Sequence, residues 1–199
     1  MVRPPQRPFR IESPRAAVRE WAESDGEAFR AIATDPRVMR YVGDGRPWTD
    51  EEIKGFITRQ HDSVQQHGFC LGPLVEQASG RLIGQAGLQY LGTTGDVEIG
   101  WWLTPHHWGR GLGSEVAHAI LQFAFGTAKL RRVVAIAHPE NVASIRIMQK
   151  MGMMFRGLVL RSELGLGGRD MEIVRYTAEK GRKARPPVSR NDGAPRSRR

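Results

Sequence analysis

The sequence is short of cysteine and of long apolar runs. Its single cysteine, Cys70, excludes an intrachain disulfide. No stretch approaches the ~20 consecutive apolar residues that a membrane-spanning helix needs, and the N-terminal segment contains no apolar core of a secretory signal. These shortages predict a cytoplasmic protein with no membrane partner. With 199 residues the chain is long enough for one well-buried domain and short for two.

The positive charge is concentrated at the C-terminus. The formal net charge is +9, but residues 180–199 hold eight Lys or Arg and one acid, which leaves 22 bases and 20 acids for residues 1–179. The basic segment has almost no large apolar side chains, so it cannot bury enough surface to offset the entropy of ordering. We therefore expect an N-terminal lead over 1–14, a domain over 15–178 and a disordered basic tail over 179–199. The tail is a candidate for weak contact with RNA or another acidic partner.

Hydrophobic periodicity predicts a mixed α/β (α+β) domain with a largely antiparallel sheet of about seven strands and about four helices. Strands are predicted over 15–21, 69–76, 82–90, 97–103, 132–137, 155–161 and 171–177. Helices are predicted from 24 or 25 to a break at Asp35-Pro36, and over 49–67, 114–125 and 141–151. The second helix begins with a capping-box pattern, Thr49 followed three residues later by Glu52.

A turn with three glycines joins strand 97–103 to the next helix, and it reads W-G-R-G-L-G-S over 108–114. Glycine permits positive φ and close approach of another molecule, and the unpaired N–H groups of the following helix point into the turn. Together these features suit a pyrophosphate. The turn lacks the lysine of a Walker loop, and its G-x-G-x-G spacing differs from the dinucleotide fingerprint. Tight packing without a ligand is the alternative interpretation.

The order strand, bend, [Q/R]-x-x-G-x-[G/A] and helix resembles the acetyl-CoA site of the GNAT superfamily of acetyltransferases. Trp108 stands where many members carry Gln or Arg, and E-I-G-W-W-L before it is similar to the branch that acetylates N-termini of ribosomal proteins (RimJ/RimL-like). The segments SPRAAVREWAESD, DPRVMRYV and HPENVASIRIMQKMGM agree, and the similarity runs from 13 to 177. Ala16 and Ala17 depart from the bulkier aliphatic residues usual in the family, which affects packing rather than chemistry.

The resemblance implies one GNAT-type domain with splayed central strands and direct transfer of an acetyl group from acetyl-CoA to a primary amine, with no metal. It also implies that main-chain groups of Trp102, Leu103 and Thr104 bind pantetheine. Amides across the glycine turn are implied to bind the phosphates, and the residues concerned are Trp108, Gly109, Arg110, Gly111, Leu112, Gly113 and Ser114. Homodimers are common in the family, so the resemblance admits one here.

Asn141 and Ser144 form an N-x-x-S segment at the start of a predicted helix. Asn is among the preferred N-cap residues, so a purely structural role is one interpretation. In the family this segment lies beside acetyl-CoA, and the resemblance implies that Asn141 contacts pantetheine. It further implies that Ser144 donates a proton or hydrogen bond to the departing thiolate.

Transfer requires an uncharged amine, so a group must accept its proton. Glu98 is the first candidate for the general base, because alternation in strand 97–103 puts it on the face of Trp102. The alternative is an exposed acid on an antiparallel strand. Glu172 is a second candidate with weaker support. Deprotonation at pH 7 costs about 4.6 kcal/mol for a lysine side chain but only about 1–1.4 kcal/mol for an α-amine.

The remaining reactive side chains have no arrangement typical of a site. None of the six histidines has metal-ligand spacing, and direct transfer needs no nucleophile such as Cys70. The loop 42–48 with Trp48 is expected to lie over the acceptor. An N-terminal α-amine of a protein or peptide is the favoured acceptor. The alternatives are a small amine (aminoglycoside, polyamine or amino acid), which a ring of carboxylates would favour, or a noncatalytic acyl-CoA-binding module. Candidates for that ring are Asp44, Asp50, Glu51, Glu52 and Asp62.

Overall fold

The computed structural model describes residues 8–181, which form eight strands and five α-helices. The strands are β1 (Arg10–Glu12), β2 (Ala16–Arg19), β3 (Leu71–Glu76), β4 (Leu82–Tyr90), β5 (Val97–Leu103), β6 (Arg132–Ala137), β7 (Met154–Leu160) and β8 (Glu172–Glu179). The helices are α1 (Asp25–Ala33), α2 (Pro36–Met39), α3 (Asp50–His67), α4 (Leu112–Gly126) and α5 (Val142–Lys150). The mixed α/β class and the largely antiparallel sheet are as predicted.

All eight strands join one sheet in the order β1-β2-β3-β4-β5-β6-β8-β7. Neighbours are antiparallel except β5 and β6, which are parallel. That parallel pair is formed at one position, Glu98 opposite Val134, whereas β4 and β5 pair continuously from Gly84–Leu103 to Tyr90–Val97. The two central strands therefore separate beyond Glu98, which confirms the predicted splay.

Helices cover both faces of the sheet, and β5 shows how its sequence divides between them. Val97, Ile99 and Leu103 are buried in the core to which α4 and α5 contribute. Trp102 points the other way and stacks on Phe29 of α1, with 6.3 Å between ring centroids. A strand buried on both faces lies at the centre of the sheet. The predicted division of strand 97–103 into two faces is therefore correct.

Two short elements differ from the sequence prediction. β1 lies inside the segment assigned to the lead, and with Ile11 as its one buried residue it is too short to show a period. α2 follows the predicted break at Asp35-Pro36. The Asp35 side chain accepts a 2.9 Å hydrogen bond from the N–H of Arg37, and proline fits the first helical position. The Asp-Pro pair thus ends one helix and begins another.

The boundaries of α3 follow the predicted capping box. The Thr49 hydroxyl accepts from the N–H of Glu52 at 3.3 Å, and the Glu52 carboxylate accepts from the N–H of Thr49 at 2.8 Å. The helix ends at Gly68, whose φ of +76° suits glycine. Both ends are thus fixed by local chemistry that the sequence displays.

No helix among residues 8–181 is long and apolar enough to cross a membrane. The predicted basic tail lies almost wholly in 182–199, outside the described residues.

Candidate active site

The main chain of β5 forms hydrogen bonds with β4 along one edge. Its other edge faces the gap that opens between β5 and β6 beyond Glu98. Just before the strand, the N–H of Leu91 donates to the carbonyl of Asp96 at 2.8 Å; just after it, the N–H of Thr104 donates to Ile83 at 2.8 Å. The register between these points has no bulge. Because hydrogen bonding alternates along an antiparallel pair, the main-chain N–H and C=O groups of the even-numbered β5 residues point towards β4. Those of the odd-numbered residues point towards β6.

This alternation decides which main-chain groups are open to a ligand in the gap. The N–H of Thr104 is already used by β4, and even-numbered Trp102 likewise bonds to β4. The pantetheine contacts predicted for these two backbones do not fit that pattern. The groups that face the gap are those of Trp101 and Leu103, although the Leu103 carbonyl accepts a 2.7 Å hydrogen bond from Trp108 Nε1–H. Sequence reasoning missed Trp101, which the period of two along a strand could have identified.

Two of the three glycines in the turn have the positive φ that the sequence allows, whereas Gly113 lies inside α4, which begins at Leu112 and not at Ser114 as predicted. Gly109 and Gly111 have φ of +72° and +76°, a region that favours glycine. A side chain on Gly109 would meet nothing within 4 Å, so the space above it is open. α4 begins at Leu112 with no side-chain cap, and its first amides therefore have no partner within the helix. An open, glycine-lined helix N-terminus fits the phosphates of coenzyme A.

Arg15 fastens this turn to the N-terminal part of the sheet. Its Nη1 donates to the carbonyl of Arg110 at 3.0 Å, and its Nε donates to the Glu115 carboxylate at 2.7 Å. The same carboxylate accepts from the Ser13 hydroxyl and from the Arg15 N–H, each at 2.9 Å. Glu115 lies in the first turn of α4, so the contacts fix both sides of the glycine turn. Sequence reasoning missed Arg15, because its partners lie about a hundred residues away.

Asn141 caps α5, and its side-chain oxygen accepts a 3.1 Å hydrogen bond from the N–H of Ser144. Both residues are partly exposed. The helix begins just after Ala137 and His138, which line the gap side of β6. The structural interpretation of Asn141 is therefore correct, and a contact with a ligand in the gap is compatible with it.

A cavity of about 400 Å³ opens on the face of the sheet opposite α4. Its floor contains Gly100, with Gln85 opposite Trp102 on one side and Gln89 opposite Glu98 on the other. The far wall comes from the C-terminal end of β6, so the cavity spans the gap between the splayed strands. The loop from Arg40 to Gly45 and the segment between β7 and β8 complete it. Ser144, Asn141 and the glycine turn do not line this cavity.

Glu98 has a carboxyl whose pKa lies near neutrality. It is partly buried, and burial raises the pKa of its carboxyl to about 7, while the Gln89 hydrogen bond and the nearby Arg161 charge act in the opposite direction. Gln89 Nε2 donates to Glu98 Oε2 at 2.8 Å. A carboxyl with a pKa near neutrality can accept a proton and release it again. Glu172 is exposed on β8, and its neighbours Met171 and Ile173, rather than its own side chain, line the cavity.

Residues 42–45 of the loop line the cavity, whereas Trp48 does not, and the proposed ring of carboxylates does not form. Only Asp44 of the five candidates lines the cavity, and it accepts a 2.9 Å hydrogen bond from the N–H of Arg169. Asp50 pairs with Arg30 at the surface. Trp48 packs edge-on against Trp102, with 5.1 Å between ring centroids. The acids at the start of α3 thus cap or pair locally.

Three other reactive side chains, a cysteine and two histidines, are buried or in contact with nearby polar groups. Cys70 is fully buried, and burial raises the pKa of its thiol well above the ordinary range, which makes it inert. His107 Nδ1 lies 2.7 Å from the Thr104 hydroxyl, and His118 Nδ1 lies 2.8 Å from the Ser114 carbonyl. Within 8–181, no group of three or more His, Cys, Asp or Glu residues is arranged to hold a metal ion.

Three features together are those of an acyl-CoA-dependent transferase. They are a splayed α/β sheet, a glycine-lined helix N-terminus that follows β5, and a cavity across the gap between β5 and β6. Residues 15–154 match the family described as "Acetyltransferase (GNAT) domain". The chain belongs to this family and is an acetyl-CoA-dependent N-acetyltransferase.

Known relatives agree with this assignment. The chain is 32% identical over 149 residues to the uncharacterized N-acetyltransferase YnaD of Bacillus subtilis, covering 74% of this chain and 84% of that protein. It is similar to the crystal structure of a GNAT-family acetyltransferase from Bacillus anthracis, with a TM-score of 0.71, 26% identity and coverage of 85% and 98%. The fold also matches RimL, a ribosomal L7/L12 alpha-N-protein acetyltransferase solved with coenzyme A, at a TM-score of 0.71, 18% identity and coverage of 85% and 97%.

Proposed function

We propose that the protein acetylates the N-terminal α-amine of a peptide or protein, as the RimJ/RimL-like branch does. The observation that carries this proposal is Glu98, a carboxyl with a pKa of about 7 on the floor of the cavity that spans the strand gap. Because α-ammonium groups are more acidic than lysine side chains, this carboxylate deprotonates them at lower cost. Proton transfer to it costs about 1 kcal/mol from an α-ammonium group but about 4–5 kcal/mol from a lysine side chain.

The proposed donor site runs from the glycine turn into the gap. The amides of Gly109 to Ser114 bind the phosphates, and the gap-facing backbones of Trp101 and Leu103 bind the pantetheine arm and the thioester oxygen. Asn141 contacts the same arm from the start of α5. When bound, acetyl-CoA supplies the thioester whose C–S bond breaks as a C–N bond forms to the amine.

Two side chains on opposite sides of the gap then accept and donate protons. Glu98 takes a proton from the attacking α-ammonium group, directly or through one water, and so generates the neutral amine. The second proton, lost from the nitrogen once the C–N bond has formed, goes to the departing sulfur so that the free thiol leaves, and Ser144 hydrogen-bonds that sulfur or relays the proton from the β6 side. The cavity lined by Gln85 and Gln89 holds the acceptor, and the loop 42–48 closes over it. The proposed transfer involves no covalent intermediate on the protein.

A panel of acceptors tests this function. The protein is mixed with acetyl-CoA and short peptides with a free N-terminus, the same peptides blocked at the N-terminus but containing lysine, polyamines and aminoglycosides. Free thiol release gives the rate, and mass spectrometry locates the acetyl group. We expect transfer to free N-termini. Transfer to polyamines or aminoglycosides alone would contradict the proposal, and tight acetyl-CoA binding without any transfer would indicate a binding module.

A further inference from the structure

The charges that line the cavity are predominantly positive. Three arginines line it, Arg40, Arg161 and Arg169, against two carboxylates, Glu98 and Asp44. Asp44 is already engaged by the main-chain N–H of Arg169. A cavity of this composition repels a polycation and attracts an acceptor with negative charge.

Arg161 is a cavity arginine with a buried donor that lacks a hydrogen-bond partner. Its Nη2 donates to the carbonyl of Gly167 at 2.7 Å, while its Nε is buried with no hydrogen-bond partner. Among residues 8–181 no carboxylate lies within 4.0 Å of its guanidinium. A buried guanidinium N–H without a partner is costly, and a carboxylate is the acceptor that its planar fork matches best.

Gln85 supplies a second, independent sign of a polar ligand. Its side chain is 1% exposed and lines the cavity, yet neither its Oε1 nor its Nε2 has a partner. A buried side-chain amide that lacks both kinds of hydrogen bond is rare in a folded protein. On β4, Gln85 lies opposite Trp102, two residues away from the position that lies opposite Gly100. A ligand that both donates and accepts at this point, such as an α-amino acid unit, would satisfy it.

From these three observations we infer that the acceptor is an α-amine that carries an anionic group close by, with the anion bound by Arg161 and Arg169 and the amino acid unit held by Gln85. This inference rests on the proposed function, because it concerns the acceptor of the same transfer. Two sources share the chemistry. One is a peptide N-terminus with an acidic residue in its first positions, and the other is a free amino acid or dipeptide with its own carboxylate.

The experiment compares acceptors in which a carboxylate is replaced by its neutral amide, with each rate expressed per neutral α-amine because the amide of serine also has a lower amine pKa. The specificity constant kcat/KM is measured for the C-terminally amidated peptides Ser-Asp-Ala and Ser-Asn-Ala, and for serine and its amide. We expect an acid-to-amide ratio of at least ten in one pair or both. A high ratio in the peptide pair identifies an acidic N-terminus as the source, and a high ratio in the serine pair identifies a free carboxylate.

Variants tie the ratio to the arginines. Arg161→Gln and Arg169→Gln should each bring the ratio towards one, and Arg161→Lys should retain part of it. Arg30→Gln is the matched control, because Arg30 pairs with Asp50 at the surface away from the cavity, and it should keep the wild-type ratio. Transfer to α-amines with a ratio of one or less in both pairs would overturn this inference and leave the proposed function standing. Absence of transfer to every α-amine would overturn both.

Discussion

Gln89 donates a 2.8 Å hydrogen bond to Glu98 directly across the β4–β5 pair. This bond opposes the effect of burial, which raises the pKa of the Glu98 carboxyl to about 7. The two residues thus set the basicity of the group that faces the cavity. A single substitution that removes this hydrogen bond should therefore change the pKa of Glu98.

The first prediction concerns the pH dependence of transfer. Only the carboxylate form of Glu98 accepts a proton, and the ammonium form of the acceptor supplies it, so kcat/KM should rise with pH through about 7 and fall again above the amine's own pKa of about 8. Gln89→Leu removes a bond that favours the carboxylate, so the pKa should rise and the limb should move to higher pH. Glu98→Gln should leave a single rise at the amine's own pKa of about 8 and lower kcat by about 10²–10⁴-fold. The measurement is kcat/KM for one peptide between pH 5 and 9.

Glu172→Gln is the control, because this exposed acid on β8 does not line the cavity. Its profile should match the wild type. A rising limb that stays near pH 7 in Glu98→Gln would contradict the role of Glu98, and loss of the limb near pH 7 in Glu172→Gln would transfer that role to the second candidate.

The second prediction concerns stability and needs no substrate. Because folding raises the pKa of Glu98 from its ordinary value of 4.5 to about 7, the folded state holds the proton more tightly. The resulting loss of stability is absent below pH 4.5, grows between 4.5 and 7, and is complete above 7. Glu98→Gln removes it, so this variant should gain at most about 3 kcal/mol in the free energy of unfolding at pH 8. At pH 4 it should match the wild type. Denaturant titrations at both pH values check this, and an equal gain at both would indicate a packing effect instead.

The third prediction addresses the glycine turn. At Gly111, with φ of +76°, a new Cβ would have as its nearest contact Arg15 Nη2 at 3.8 Å, so a side chain fits in space. Asn and Asp both tolerate positive φ better than other residues, so Gly111→Asp and Gly111→Asn should fold alike. Gly111→Asp adds a negative charge beside the proposed phosphate site and should weaken acetyl-CoA binding at least 100-fold by calorimetry. Gly111→Asn should weaken it much less. Equal affinities for the two variants would place the phosphates elsewhere.

The fourth prediction separates two roles at the start of α5. Asn141→Asp keeps a side-chain acceptor for the N–H of Ser144 and should preserve the cap, whereas Asn141→Ala should lose about 1 kcal/mol of stability. Both should raise the KM for acetyl-CoA if Asn141 touches pantetheine. Ser144→Ala should lower kcat more than it changes that KM. An unchanged kcat in Ser144→Ala would remove the hydroxyl from the mechanism.

The parts of the protein that the sequence predicts are those with a local cause. The capping box of Thr49 and Glu52 sets the start of α3, and alternation along β5 puts Glu98 on the cavity side. The glycine turn follows from its residues because positive φ is a local requirement. β1 was missed since three residues carry no period, and the gap-facing backbone of Trp101 depends on the register with β4.

The lining of the cavity has a different origin. Arg161 approaches Glu98 because the segment between β7 and β8 folds over the central strands. Nothing in the sequence near either residue records that approach. The positive charge of the cavity therefore depends on the tertiary fold. The carboxylates within 44–62 predict a negatively charged site instead.

The last prediction concerns Arg15, which joins the N-terminal strands to the turn at Arg110 and to Glu115. Since it holds both sides of the glycine turn, Arg15→Ala should loosen the main-chain donors and raise the KM for acetyl-CoA about tenfold, equivalent to about 1.4 kcal/mol. The kcat at saturation should change little, because the cavity is untouched. Arg15→Lys keeps the charge but not the planar fork, so it should recover less than half of the loss if positioning dominates. Arg10→Ala, which breaks an exposed pair with Glu12 on β1, should leave the KM at the wild-type value. A normal KM in Arg15→Ala would show that the turn keeps its shape without this contact, and full recovery in Arg15→Lys would assign the effect to charge at the phosphates.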